Sequence, residues 1–116
     1  MKLLRRWPVL LLLASALACA AAPVKTGHEA MRLAAAAIDK YELTSLRDEC
    51  GLLSARETAS YFDVDFRERH TPSCGGDPET KPRLFTVRVR KRDGRLTSDV
   101  YDGVDFRPLN HKLPRR

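Results

Sequence analysis

Four side chains that could do chemistry lie close together in the middle of this 116-residue chain. His70 and Cys74 are four residues apart in a polar stretch, and Asp63 and Asp65 are two apart just before them. A histidine and a cysteine at that spacing suggest two metal ligands, or the base and nucleophile of a cysteine hydrolase. Two carboxylates on one strand face suggest a glycosidase pair. None of these sets is complete. Two ligands do not make a structural zinc site, and His28 and His111 are remote in sequence. A cysteine held in a disulfide is neither ligand nor thiolate. The expectation is therefore no catalytic residue, no metal and no cofactor, with Asp63 and Asp65 on a solvated strand face balanced by Arg67 and Arg88.

The cysteines and the N-terminus set the compartment. Lys2, Arg5 and Arg6, an apolar run at 7–13 and small residues at 14–22 follow the grammar of a secretory signal, with residues 1–22 cleaved near 18–22. The segment is too short for a resident membrane span. Two processing routes stay open. The Ala-x-Ala patterns fit ordinary signal peptidase, while Ala16-Leu17-Ala18-Cys19 resembles a lipobox and makes Cys19 the candidate lipidation site. Loss of Cys19 or its lipidation leaves Cys50 and Cys74, which in an oxidising compartment form one disulfide. Without Lys2, Arg5 and Arg6, the 21 basic residues exceed the 15 acids by about three. That mild surplus and an exported location argue against a nucleic-acid partner.

The elements that would position these residues form one domain at 23–109, followed by a basic flexible tail at 110–116. Residues 23–25 read as a tether. Thr26 and Glu29 make a capping box, and Ala30, Leu33, Ala34, Ala37, Ile38 and Tyr41 give one apolar stripe of a helix over 27–41. A short helical turn is expected at 43–49 and a loop at 54–57. Strict alternation predicts strands at 59–69, with Phe62, Val64 and Phe66 inward, and at 84–92, with Phe85, Val87 and Val89 inward. Asp93-Gly94 signals a two-residue hairpin that pairs Arg92 with Arg95, Val89 with Ser98 and Val87 with Val100, and sets Arg88 beside Asp99. Asp102-Gly103 is a second turn, and 104–107 a candidate fourth strand. The fold class is α+β: an N-terminal amphipathic helix packed on a three- to four-stranded antiparallel sheet with one disulfide.

Two surfaces remain as binding candidates. Gly75 and Gly76 admit backbone angles closed to other residues, and Asp77 can bond its own turn, so the loop is either a disulfide-anchored turn or a rigid presented surface. Alternation also puts Arg88 and Arg90 on the solvent side, where cations protect a strand edge or dock an acidic partner. Replacing both by serine is expected to leave folding intact.

The run from Arg67 through Cys74-Gly75-Gly76-Asp77-Pro78 to Phe85 resembles a group of small exported bacterial proteins of unknown function. More loosely, the helix, strand and Asp-Gly hairpin resemble the PepSY-type module, a likeness that implies peptidase inhibition; the cystine-bearing loop departs from that module. The expectation is a non-catalytic cell-envelope binding module, an inhibitor or immunity protein that blocks a hydrolase or toxin. Its partner would be a protein with an acidic surface or an envelope enzyme, and its membrane contact would run only through Cys19. The alternative is a structural or accessory periplasmic protein or outer-membrane lipoprotein without an enzyme target.

Overall fold

Thr26 opens α1 (Gly27–Lys40): its Oγ1 accepts the Glu29 N–H at 3.1 Å, and Glu29 Oε2 accepts the Lys25 N–H at 3.2 Å. The first bond satisfies an amide that a helix start leaves without a partner, and the second ties the residue before the cap to the first turn. The structure is a computed structural model and describes residues 22–110. The signal segment, Cys19, His111 and most of the expected tail lie outside the described residues. Along α1 the expected stripe buries Ala30, Ala34, Ala37 and Ile38, while Leu33 stays exposed. The helix ends in a Schellman arrangement, with Leu43 N–H donating to Ile38 O at 3.0 Å and Glu42 N–H to Asp39 O at 3.2 Å. Glu42 sits there at φ 50°, where glycine is usual. Glu42→Gly should therefore raise stability by about 0.5 kcal/mol, since relief of left-handed strain exceeds the added unfolded-chain entropy. A lower urea midpoint for the variant would refute this.

Among the described residues the sheet has five strands in sequence order, all antiparallel: β1 (Gly51–Glu57), β2 (Tyr61–Glu68), β3 (Arg83–Arg90), β4 (Leu96–Ser98) and β5 (Arg107–Pro108). The α+β class is as expected, but the strand number is five instead of three to four. The added strand is β1, which occupies the expected loop at 54–57. Its register, Leu53 opposite Phe66 and Ala55 opposite Val64, extends the apolar face of β2. The helical turn expected at 43–49 is only a 3-10 turn, Asp48–Cys50, because the chain passes straight from Cys50 into β1. Residues 23–25 are not a free tether. Val24 is buried, and its N–H donates to Lys91 O at 2.7 Å.

As alternation implied, Phe62, Val64 and Phe66 of β2 and Phe85, Val87 and Val89 of β3 build the core with α1. The Phe66 and Phe85 rings stack at 5.1 Å. Gly51 makes room for this pair, since a Cβ there would stand 2.6 Å from the Phe66 ring.

The β3–β4 hairpin departs from expectation by two residues: Val87 lies opposite Ser98 and Val89 opposite Leu96, and Arg88 opposes Thr97 instead of lying beside Asp99. Its loop spans four residues, 91–94, with Gly94 N–H donating to Arg90 O at 2.8 Å. Asp93 enforces the longer loop by gripping the Arg90 guanidinium and accepting the Arg95 N–H. A shift of two keeps every side chain on its expected face.

Beyond Ser98 the chain leaves the sheet, and side chains finish the ladder. Ser98 Oγ donates to Thr86 O at 2.7 Å, and Asp99 Oδ1 accepts the Thr86 N–H at 2.8 Å. The strand expected at 104–107 starts late, because Asp102 Oδ1 accepts the amides of Val104 and Asp105 and folds that stretch into a turn. Only Arg107 and Pro108 reach β4.

Candidate functional site

The loop between β2 and β3 is closed by the expected disulfide, Cys50–Cys74, with a Cα–Cα distance of 5.6 Å. Arg47 adds a second tie, donating to Ser73 O at 2.7 Å. His70 lies inside this loop and not beside a thiolate. Its Nδ1 is 2.7 Å from Asp77 O and its Nε2 is 2.8 Å from Glu68 Oε2. Both partners are acceptors only, so the geometry calls for a proton on each ring nitrogen. The Glu68 hydrogen bond, then the Asp77 carbonyl, raise the His70 pKa above 6.5 against a smaller opposing effect of burial. Gly76, at φ 83°, lies flat on the ring, where a Cβ would come within 2.6 Å. Gly75, at φ 80°, faces open space. Asp77 Oδ1 accepts the Glu79 N–H at 2.9 Å, closing the turn on itself. Among the described residues no three His, Cys, Asp or Glu side chains form a group able to hold a metal ion.

A pH dependence follows from His70. Because its folded pKa is raised, its contribution to loop closure is complete below about 6.5 and is lost as pH rises through the higher folded value. The His70 ring resonances should titrate with a midpoint above 6.5, and Glu68→Gln should lower that midpoint. A midpoint at or below 6.5 in the parent protein would refute the assignment.

Asp63 and Asp65 do share the face of β2 opposite the helix, but they are not solvated: they are 5% and 4% exposed. The arginines that were expected to balance them cover them instead. Arg88 approaches Asp63 in a fork, with Nε 2.8 Å from Oδ1 and a terminal nitrogen 3.3 Å from Oδ2. Asp65 accepts from Thr86 Oγ1 at 2.7 Å and lies between Arg56 at 3.4 Å and Arg67 at 3.5 Å. Burial pushes the Asp65 carboxyl up. The Thr86 hydroxyl and the Arg56 and Arg67 guanidiniums outweigh that and hold it below the usual carboxylate range. Arg83 continues the row, donating to Thr86 Oγ1 at 3.1 Å and Asp99 Oδ2 at 3.0 Å.

The two expected free cations are therefore engaged. Arg88 also stacks between the rings of Phe106 and Tyr61, 3.9 and 5.1 Å from their centroids. Arg90 grips Asp93. With Arg95, Tyr61 and Phe106 they line a shallow cleft of about 320 Å³. This cleft lies at the Tyr61 end of the strands, whereas Gly75, Gly76 and Asp77 lie at the other end. At 3.3 Å per residue, roughly 15–25 Å of strand separates the two candidate surfaces.

Sequence reasoning missed Glu68, Tyr61 and Phe106. Glu68 lies two residues before His70 at the end of β2, close enough in sequence for its carboxylate to be weighed as a partner. Tyr61 needed the β2–β3 register, and nothing local shows that the chain after the Asp102-Gly103 turn brings Phe106 onto Arg88.

The disulfide fits an oxidising, exported environment. Among the described residues no helix is long and apolar enough to cross a membrane. Comparison of the chain with protein-family models, curated proteins and solved structures gave no match.

Proposed function

We propose that this protein is a non-catalytic binding module of the cell envelope, periplasmic or tethered to the outer membrane through Cys19, which works by presenting a surface to a protein partner. One observation carries the reading: each of the four clustered side chains whose types suggested chemistry is held by an internal partner. Cys74 is bonded to Cys50, His70 lies between Glu68 and Asp77, Asp63 is gripped by Arg88, and Asp65 by Thr86, Arg56 and Arg67. Groups consumed in this way are poor nucleophiles and bases.

The finer reading is an inhibitor or immunity protein against a hydrolase or toxin. Its contacts would be the Gly75-Gly76-Asp77 loop or the Arg88–Arg90 cleft. Because these lie at opposite ends of the sheet, a small partner engages one of them and only a large one engages both. The test is a pull-down from periplasmic extract with the disulfide-bonded protein. A single stoichiometric enzyme whose activity falls on binding supports the inhibitor. Co-purifying assembly subunits would move the assignment to an accessory envelope protein, and turnover by the isolated protein would overturn both.

A further inference from the structure

The two edges of the sheet are unlike. At the far edge β5 is two residues long, and one of them is Pro108, which has no N–H to offer. At the near edge β1 is seven residues long without proline or lysine. Natural proteins usually blunt a strand of that length, because its outward amides and carbonyls are a template for another chain.

The direction of those groups follows from the ladder. Arg69 N–H donates to Cys50 O at 2.8 Å, and Thr58 N–H to Tyr61 O at 2.8 Å. Residues 50 and 58 therefore turn their hydrogen-bonding groups towards β2, and by alternation so do Leu52, Ser54 and Arg56. Gly51, Leu53, Ala55 and Glu57 turn theirs outward, with their side chains on the helix side.

Beside that edge, between β1 and the C-terminal half of α1, lies a second feature. A groove of about 540 Å³ is floored by Ile38, Leu53 and Phe66, and its rim includes Asp39, Glu42 and Asp48. The rim's one cation, Arg47, is already paired with Glu49 at 3.1 Å and donates to Ser73 O. A strand added about 4.8 Å outside β1 would point every second side chain into the helix layer, over this groove.

We infer that β1 is a strand-addition site for an extended segment of a partner protein. That segment carries a large apolar side chain opposite Leu53 and lysine or arginine two residues to either side. The apolar floor takes the large side chain, and the acidic rim selects the cations. The ladder supplies affinity and the groove supplies register. The inference rests on the binding-module reading and names a surface distinct from the loop and the arginine cleft.

The test uses the disulfide-bonded protein and a synthetic peptide, acetyl-Thr-Lys-Thr-Phe-Thr-Lys-Thr-amide, followed by NMR. Binding should shift the Leu53 and Ala55 amides and slow their hydrogen exchange at least about tenfold, as expected when an open amide enters a ladder. N-methylation of the phenylalanine, whose N–H faces β1, should weaken binding by about tenfold or more. N-methylation of the neighbouring threonine, whose N–H faces away, should be tolerated. Ala35→Trp, which fills the groove from the helix side, should weaken binding to a similar extent. Equal tolerance of both N-methyl peptides, or no change at Leu53 and Ala55, would overturn the site. A doubled mass without peptide, with the same amides protected, would assign the edge to a second copy and overturn a partner segment. Failure here with a partner still captured from extract would remove the β1 site and leave the binding module standing.

Discussion

Replacing Cys50 and Cys74 together by alanine is expected to lower the unfolding free energy by roughly 3 to 4 kcal/mol. The bridge joins residues 24 apart, and closing a loop of that length removes about this much freedom from the unfolded chain. For a domain this small the loss is a large part of a total of about 5–15 kcal/mol. The melting temperature should fall by on the order of 15 °C. The effect should also be local. The bridge fixes the start of β1 to the loop that encloses His70, and without it the Arg47–Ser73 contact, the Arg69–Cys50 backbone bond and the His70 contacts remain there. The His70 midpoint should then move back towards 6.5 as Glu68 and Asp77 lose their fixed positions. Urea unfolding of the double variant checks the first expectation, and ring titration of the same protein checks the second. A loss under about 1 kcal/mol would mean that those remaining contacts already constrain the loop, and the bridge would lose its place as the main brace.

The sequence made parts of this arrangement readable and hid others for identifiable reasons. The helix was legible because Thr26, Glu29 and the alanine stripe agree with one another, and the central strands because Phe62 to Phe66 and Phe85 to Val89 alternate without a break. Strand β1 was hidden because Gly51, Ser54, Ala55 and Glu57 are weak strand formers, and only pairing with β2 makes them a strand. The hairpin register was hidden because Asp93-Gly94 reads as a two-residue turn, and nothing local reveals that Arg90 draws Asp93 into a longer one. Periodicity placed Asp63, Asp65, Arg88 and Arg90 on the correct face. It could not tell a solvated face from one in which cross-strand arginines close over the acids, because that depends on which residue stands opposite which. The register sets Asp63 against Arg88 and Asp65 against Thr86, and that opposition turns a polar face into a buried one.

This opposition also reverses the expectation that arginines at 88 and 90 can be removed without cost. Arg88→Ala should destabilise the protein by about 2 to 3 kcal/mol. Removing one member of a fully buried pair costs roughly 3–5 kcal/mol, and water reaching Arg88 discounts that figure. The stacking on Phe106 and Tyr61 is lost as well, at about 0.5–1 kcal/mol for each ring. Asp63→Ala should cost less, because the two partners are unequally buried: the Asp63 side chain is 7% exposed and that of Arg88 32%. An arginine that loses its partner can turn to water, whereas the carboxylate beneath it cannot. Replacing both residues should cost less than the sum of the single losses, by about 1 to 2 kcal/mol. Urea unfolding of the two single variants and the double variant measures all three quantities. Strict additivity would show that the pair is not coupled and return Arg88 to the role of a free surface cation, and equal single losses would refute the part assigned to unequal burial. If the ordering holds, weaker partner binding by an Arg88 variant reports unfolding as readily as a lost contact. A docking role for this face is then better tested at Arg95, which lines the same cleft without holding a buried acid.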